Sequence, residues 1–141
     1  MARTKITPTL LTAENAVASG AGITIDSTLV SNGVYIDADG DVERLVIRVV
    51  NSHASAAKTF TVKAAPAENG YPLGGGYQFL APQGDIVTSV ASSGDMMLAG
   101  LVSARHVTKD PDSGDRGVVL IDFENGFTGA IRVYKLPKEI F

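Results

Sequence analysis

The strongest constraint on this chain is the period of its apolar residues. In Arg44-Leu45-Val46-Ile47-Arg48-Val49-Val50-Asn51, residues Leu45, Ile47 and Val49 fall on one side, and Arg44 and Arg48 make the other side wetter. In Lys58-Thr59-Phe60-Thr61-Val62-Lys63-Ala64, residues Phe60, Val62 and Ala64 alternate with Thr59, Thr61 and Lys63. A period of two is the mark of a half-buried strand, because successive side chains leave a strand on opposite faces. Nowhere does a helical period persist. Gly117-Val118-Val119-Leu120-Ile121-Asp122-Phe123 is apolar on both faces and predicts a central strand. Gly129-Ala130-Ile131-Arg132-Val133-Tyr134-Lys135-Leu136 predicts another, ended by Pro137, which cannot donate to a ladder. Weaker strand signals lie at 23–25, 34–36, 86–90, 96–101 and 105–109.

Eight or nine short strands, spaced by roughly 8–14 residues, predict an all-β fold: an antiparallel β-sandwich with jelly-roll-like topology. The small polar link Ser52-His53-Ala54-Ser55-Ala56-Ala57 predicts a hairpin between the two alternating strands. Glu124-Asn125-Gly126 predicts a turn, since Asn and Gly tolerate positive φ. A chain of 141 residues is expected to form one domain over 1–141. It buries roughly two-thirds of the surface its unfolded form exposes, enough for a core without cross-links.

Two stretches stand outside the strand pattern. Residues 1–22 carry Ile6, Leu10 and Leu11 and end in Ala18-Ser19-Gly20-Ala21-Gly22, predicting an edge strand or an arm leaving the body. Residues 66–84 set Tyr71, Leu73, Tyr77, Phe79 and Leu80 among Gly and Pro. Loops of this length are uncommon in compact domains and are often functional. The large residues either cover one end of the sandwich or pack on a neighbouring subunit, where aromatics are enriched.

Composition excludes several chemistries. The chain has no Cys, which removes thiol nucleophiles, thiolate metal sites and disulfides. A net charge of −3 argues against a nucleic-acid partner, which needs a basic stripe. No apolar run reaches the roughly 20 residues of a membrane helix, and the first eight residues lack a signal peptide's apolar stretch, so no membrane partner is expected. Charged residues make up 19%, below the roughly 25% of typical domains, which fits a Thr-rich β surface or one that docks on another protein.

Asp37-Ala38-Asp39-Gly40-Asp41-Val42-Glu43 places four carboxylates close together, but Gly40 stands in the wrong place for a helix-loop-helix calcium site. Asp39-Gly40 predicts a turn instead. Residues 109–117 form a second acidic loop with turn composition. His53 and His106 lack motif partners, no Gly-x-Ser-x-Gly elbow occurs, and neither glycine cluster opens a helix after a strong strand. No catalytic residue, cofactor or metal is expected.

Thr4-Lys5-Ile6-Thr7-Pro8-Thr9-Leu10-Leu11 resembles the opening of a group of small structural proteins of tailed bacteriophages. The runs 44–51 and 59–64 are similar to that group as well. So are Val119-Leu120-Ile121-Asp122-Phe123, Gly126-Phe127-Thr128-Gly129 and Leu136-Pro137-Lys138, in order and spacing that cover most of the chain. The group is that of the head decoration, or cement, proteins. The chain departs from it in 70–84, where the group has a shorter, proline-containing segment.

The resemblance implies a β-sandwich that binds the outside of the capsid as a homodimer or homotrimer and clamps neighbouring major capsid subunits. It implies a virion protein, assembled in the host cytoplasm, with no catalytic residues. On this reading Ile6, Leu10 and Leu11 contact the capsid, and Tyr71, Leu73, Tyr77 and Phe79 contact capsid or another copy. Removing 2–11 is then expected to leave a folded domain with weakened capsid binding. Other readings stay open: a tail, neck or fibre-base component of the particle, a sugar-binding β module, or an enzyme with a dispersed site.

Overall fold

The computed structural model describes residues 2–64, 85–101 and 106–138. Their strands are β1 (Thr4–Ile6), β2 (Thr9–Leu10), β3 (Ile23–Ile25), β4 (Val34–Asp37), β5 (Leu45–Asn51) and β6 (Lys58–Val62). They continue with β7 (Ile86–Val90), β8 (Asp95–Ala99), β9 (Thr108–Lys109), β10 (Arg116–Phe123) and β11 (Gly129–Lys135). One sheet runs β1-β4-β10-β6-β7, with β9 also beside β10. The other runs β2-β11-β5-β8, with β3 also beside β11. The protein is an all-β sandwich, as its periodicity predicts.

Alternation along each strand builds the core. In β5, Leu45, Ile47 and Val49 are fully buried while Val46, Arg48 and Val50 are half-buried. Phe60 and Val62 of β6, Ile36 of β4 and Val119, Ile121 and Phe123 of β10 meet them from the facing sheet. β10 is central, between β4 and β6, and is buried on both faces as its composition predicts. On its other face Val118 and Leu120 pack with Tyr35 in a second small cluster.

Three features differ from expectation. The pairings β1/β4 and β2/β11 are parallel, so the sandwich is mixed rather than wholly antiparallel. Short strands such as β2 and β9, two residues each, raise the strand number to eleven among the described residues. A strand that short carries no readable period. A six-residue helix, α1 (Ser27–Asn32), also intervenes: Asp26 caps it by accepting the Leu29 N–H, and Leu29 is buried.

The predicted hairpin between β5 and β6 does not form. β5 pairs with β11 and β8, whereas β6 pairs with β10 and β7 in the opposite sheet. Residues 52–57 therefore cross from one sheet to the other. The links β4–β5, β7–β8 and β10–β11 cross in the same way. Consecutive strands thus repeatedly change sheet, whereas β6 and β7 form a hairpin within one.

Asn51, fully buried, explains the crossing chemically. Its Nδ2 donates to the carbonyls of Ala56, Val90 and Ala91 at 3.0–3.2 Å, and its Oδ1 accepts the His53 N–H at 2.9 Å. One amide thus ties the β5–β6 link to the β7–β8 link. The two alternating runs do lie in the sequence as they should; what periodicity cannot supply is the partner of each.

Candidate interaction surface

The residues singled out from sequence fall into three situations. Ile6 is 4% exposed and belongs to the core, opposite Ile36 across the β1/β4 pairing. That burial removes it from any contact surface. Leu10 is 56% exposed at the start of the outer edge of the second sheet, and Leu11 is half-buried, its N–H bonded to the Lys135 carbonyl. Tyr71, Leu73, Tyr77 and Phe79 lie outside the described residues.

Residues 2–22 do not leave the body as a free arm. Arg3 donates to Asp122 at 2.6 Å and to the Ile121 carbonyl at 3.0 Å, fastening β1 to β10. Two residues later the chain passes to the other sheet, where β2 lies along β11. Arg132 donates to the Gly20 carbonyl and the Tyr134 hydroxyl to the Ser19 carbonyl, which hold the remainder down. The edge-strand alternative describes this segment.

The acidic loops are turns with committed carboxylates. Asp39 and Gly40 both take positive φ, 52° and 75°, as the Asp-Gly signal predicts. Asp41 pairs with Arg44, with Lys135 at 3.9 Å, and Asp37 pairs with Lys5 at 3.2 Å. In the second loop Asp110 is buried and caps its own turn through the Ser113 N–H at 2.9 Å. Its other carboxylate oxygen is buried without a hydrogen bond. Asp115 accepts the Tyr35 hydroxyl at 2.9 Å. Among the described residues no group of three or more His, Asp or Glu is placed to hold a metal ion.

The histidines are structural. His53 Nδ1 accepts the N–H groups of Ser55 and Ala56, shaping the crossing link. His106 is buried, its Nδ1 3.2 Å from the Lys63 carbonyl. Beside it Asp85 accepts from Lys63 at 2.8 Å and from the Ala64 N–H at 2.7 Å. Burial alone would raise the Asp85 carboxyl. The hydrogen bonds from Lys63 and Ala64, with the charges of Lys63 and His106, outweigh it and hold the group below its ordinary value.

Exposed large apolar side chains mark contact surfaces when they gather. Besides Leu10 and Val17, which lie apart from one another in the N-terminal segment, the described residues expose Val87 of β7 and Met96 and Met97 of β8. β7 and β8 are the last strands of their sheets and are joined by residues 91–94, so they bound one lateral side of the sandwich. β1 and β2 bound a lateral side of their own, joined by residues 7–8. The methionine side was missed in sequence because 96–101 reads only as a strand. The available signal was its lack of alternation: Met96, Met97, Leu98 and Ala99 put apolar groups on both faces with no lysine or proline to guard an edge.

Comparison of the chain with protein-family models, with curated proteins and with solved structures gives no match.

Proposed function

We propose that this chain is a non-enzymatic structural protein of a tailed-phage particle. It binds the outer capsid surface as a homo-oligomer and cements neighbouring major capsid subunits. The observation that carries the reading is the set of runs resembling the cement group. These runs supply β1 and β2, the sheet centre β5, most of β6 and the second half of the central strand β10, and they flank β11. The resemblance thus spans both sheets rather than one local motif.

The physical properties of the fold support such a role. A cement acts by spreading modest contacts over many repeated copies, so that no capsid subunit leaves without breaking several. That needs a stiff body with apolar contact points at its margins. The sandwich offers Leu10 at one lateral edge and Val87, Met96 and Met97 at another. A net charge of −3 disfavours capture of nucleic acid during assembly.

The test is the copy number of this chain relative to the major capsid protein in purified particles, by quantitative mass spectrometry. A ratio of order one-third to one is expected for a protein repeating with the lattice. A few copies per hundred capsid subunits would move it to the tail, neck or fibre base. Absence from particles would overturn the structural reading and leave the sugar-binding module and the enzyme.

A further inference from the structure

The backbone of β8 carries an unpaired side whose geometry can be derived. Asn51 donates its N–H to the Gly94 carbonyl at 2.9 Å, while the Gly94 N–H turns to the Ala91 carbonyl, so 51/94 is a half-bonded member of the series of hydrogen-bonded pairs. Such pairs alternate along the ladder. In the register Val49↔Met96, Arg48↔Met97 and Ile47↔Leu98, the next bonded pairs are therefore 49/96 and 47/98. Asp95, Met97 and Ala99 then turn their backbone N–H and C=O groups away from β5. No described strand takes them, because β8 ends its sheet.

Proteins guard open edges with lysine, proline, bulges or very short strands. β1 and β2 are short. β8 has five residues in unbroken register, with no lysine, proline or bulge. Its side chains are apolar where they should be guarded. Met97 stands on the outer face beside Arg48 and is 64% exposed. Met96, aligned with buried Val49, faces the core side and is still 41% exposed. The one charge of β8, Asp95, is held within its own sheet by Arg48 at 2.5–3.0 Å.

We propose that two copies of this chain pair antiparallel through β8, about a two-fold axis at Met97. This gives the self-association in the functional reading a surface, and its test contains no capsid, so either can fail without the other. The register follows from the strand itself. Centring on Met97 sets Met97 against its copy, Asp95 against Ala99 and Met96 against Leu98. The outward-turned residues 95, 97 and 99 then meet one another, and each pairing exchanges two N–H···O bonds. Shifting the axis toward Asp95 leaves outward groups unmatched and brings the two carboxylates together. In the Met97 register no like charges meet: each Asp95, already neutralised by Arg48, lies opposite an alanine. The core-side Met96 is covered by Leu98 of the second copy, and the sheet continues from one molecule into the other.

The experiment uses the full chain, its Met97→Lys variant and its Met97→Pro variant. The first places like charges across the axis; the second removes an N–H that the β5–β8 ladder does not use. Sedimentation velocity at about 10–100 μM, suited to a small interface, is expected to show a dimer for the wild type and monomers for both variants. Residue-resolved amide exchange gives an independent signature. In the wild type the amides of 95, 97 and 99 are protected together with those of 96 and 98. In Met97→Lys only 96 and 98 stay protected, which also shows that the strand is intact. A monomeric wild type, fast exchange at 95, 97 and 99, or a dimer in Met97→Lys with those amides still protected would each overturn the proposal.

Discussion

Asn51 places a whole amide in a dry junction and uses both ends of it. Its acceptors are main-chain carbonyls of two links that cross between the sheets, at Ala56 and at Val90 and Ala91. A buried acceptor without a donor costs about 1–3 kcal/mol. Asn51→Ala is therefore expected to lower stability by about 2–3 kcal/mol, or roughly 5–10 °C in Tm, measured by thermal and denaturant unfolding. Asp85 gives a pH-dependent contribution. Its folded pKa lies below the ordinary 3.8, so the unfolded chain binds the proton more tightly. Its stabilisation is present above about pH 4 and is lost as pH falls through the lower folded value. Asp85→Asn is expected to cost about 1 kcal/mol at neutral pH, since Asp85 and Lys63 are partly solvated. The stability gap between wild type and variant should close on acidification below pH 4, which denaturant titrations at pH 7, 4 and 3 would read.

At the scale of elements, the N-terminal pair of strands is the decisive correction. β1 lines β4, β2 lines β11, Ile6 lies in the core and Arg3 locks onto Asp122. Removing 2–11 therefore strips an edge from both sheets. An isoleucine lost from a core costs about 2–5 kcal/mol before the pairing is counted. The truncated chain is expected to melt more than 10 °C lower or to lose its cooperative transition, as seen by calorimetry, rather than remain a sound domain. The sequence showed which residues of β5 and β6 face inward, because alternating runs carry a period, and it marked β10 as a strand apolar on both faces and β11 as a strand. It did not show that β5 and β6 sit in different sheets: a short polar link serves a hairpin and a crossing equally well, and Asn51 in its corner looks like ordinary loop chemistry. β1 was illegible because Thr4-Lys5-Ile6 is too short to reveal whether Ile6 is buried or presented. For the same reason Ile6, Leu10 and Leu11 looked alike, although the fold buries the first and exposes the second. Met96 and Met97 were visible only as strand residues, since exposure at an edge depends on which strand ends the sheet.

At the scale of the whole molecule, the two proposals are coupled: pairing through β8 would be thermodynamically linked to binding a capsid. If each copy carries one capsid contact, a dimer binds with two, and the second engages at an effective concentration set by the rigid join between the bodies. Such intramolecular engagement raises apparent affinity by about 10²–10⁴ where the spacing fits the lattice, and by nothing where it does not. The two-fold would place β2, with Leu10, toward the outer ends of a continuous sheet, since β2 and β8 are outer strands of the same sheet. The contacts would then be far apart and turned in opposite directions along a lattice. Met97→Lys is accordingly expected to bind capsids at least tenfold more weakly than the wild type in co-sedimentation, while Leu10→Ser weakens binding but leaves the dimer intact. If Met97→Lys is monomeric and yet binds capsids as tightly as the wild type, the join between copies carries no avidity, and clamping rests on contacts made by each copy alone.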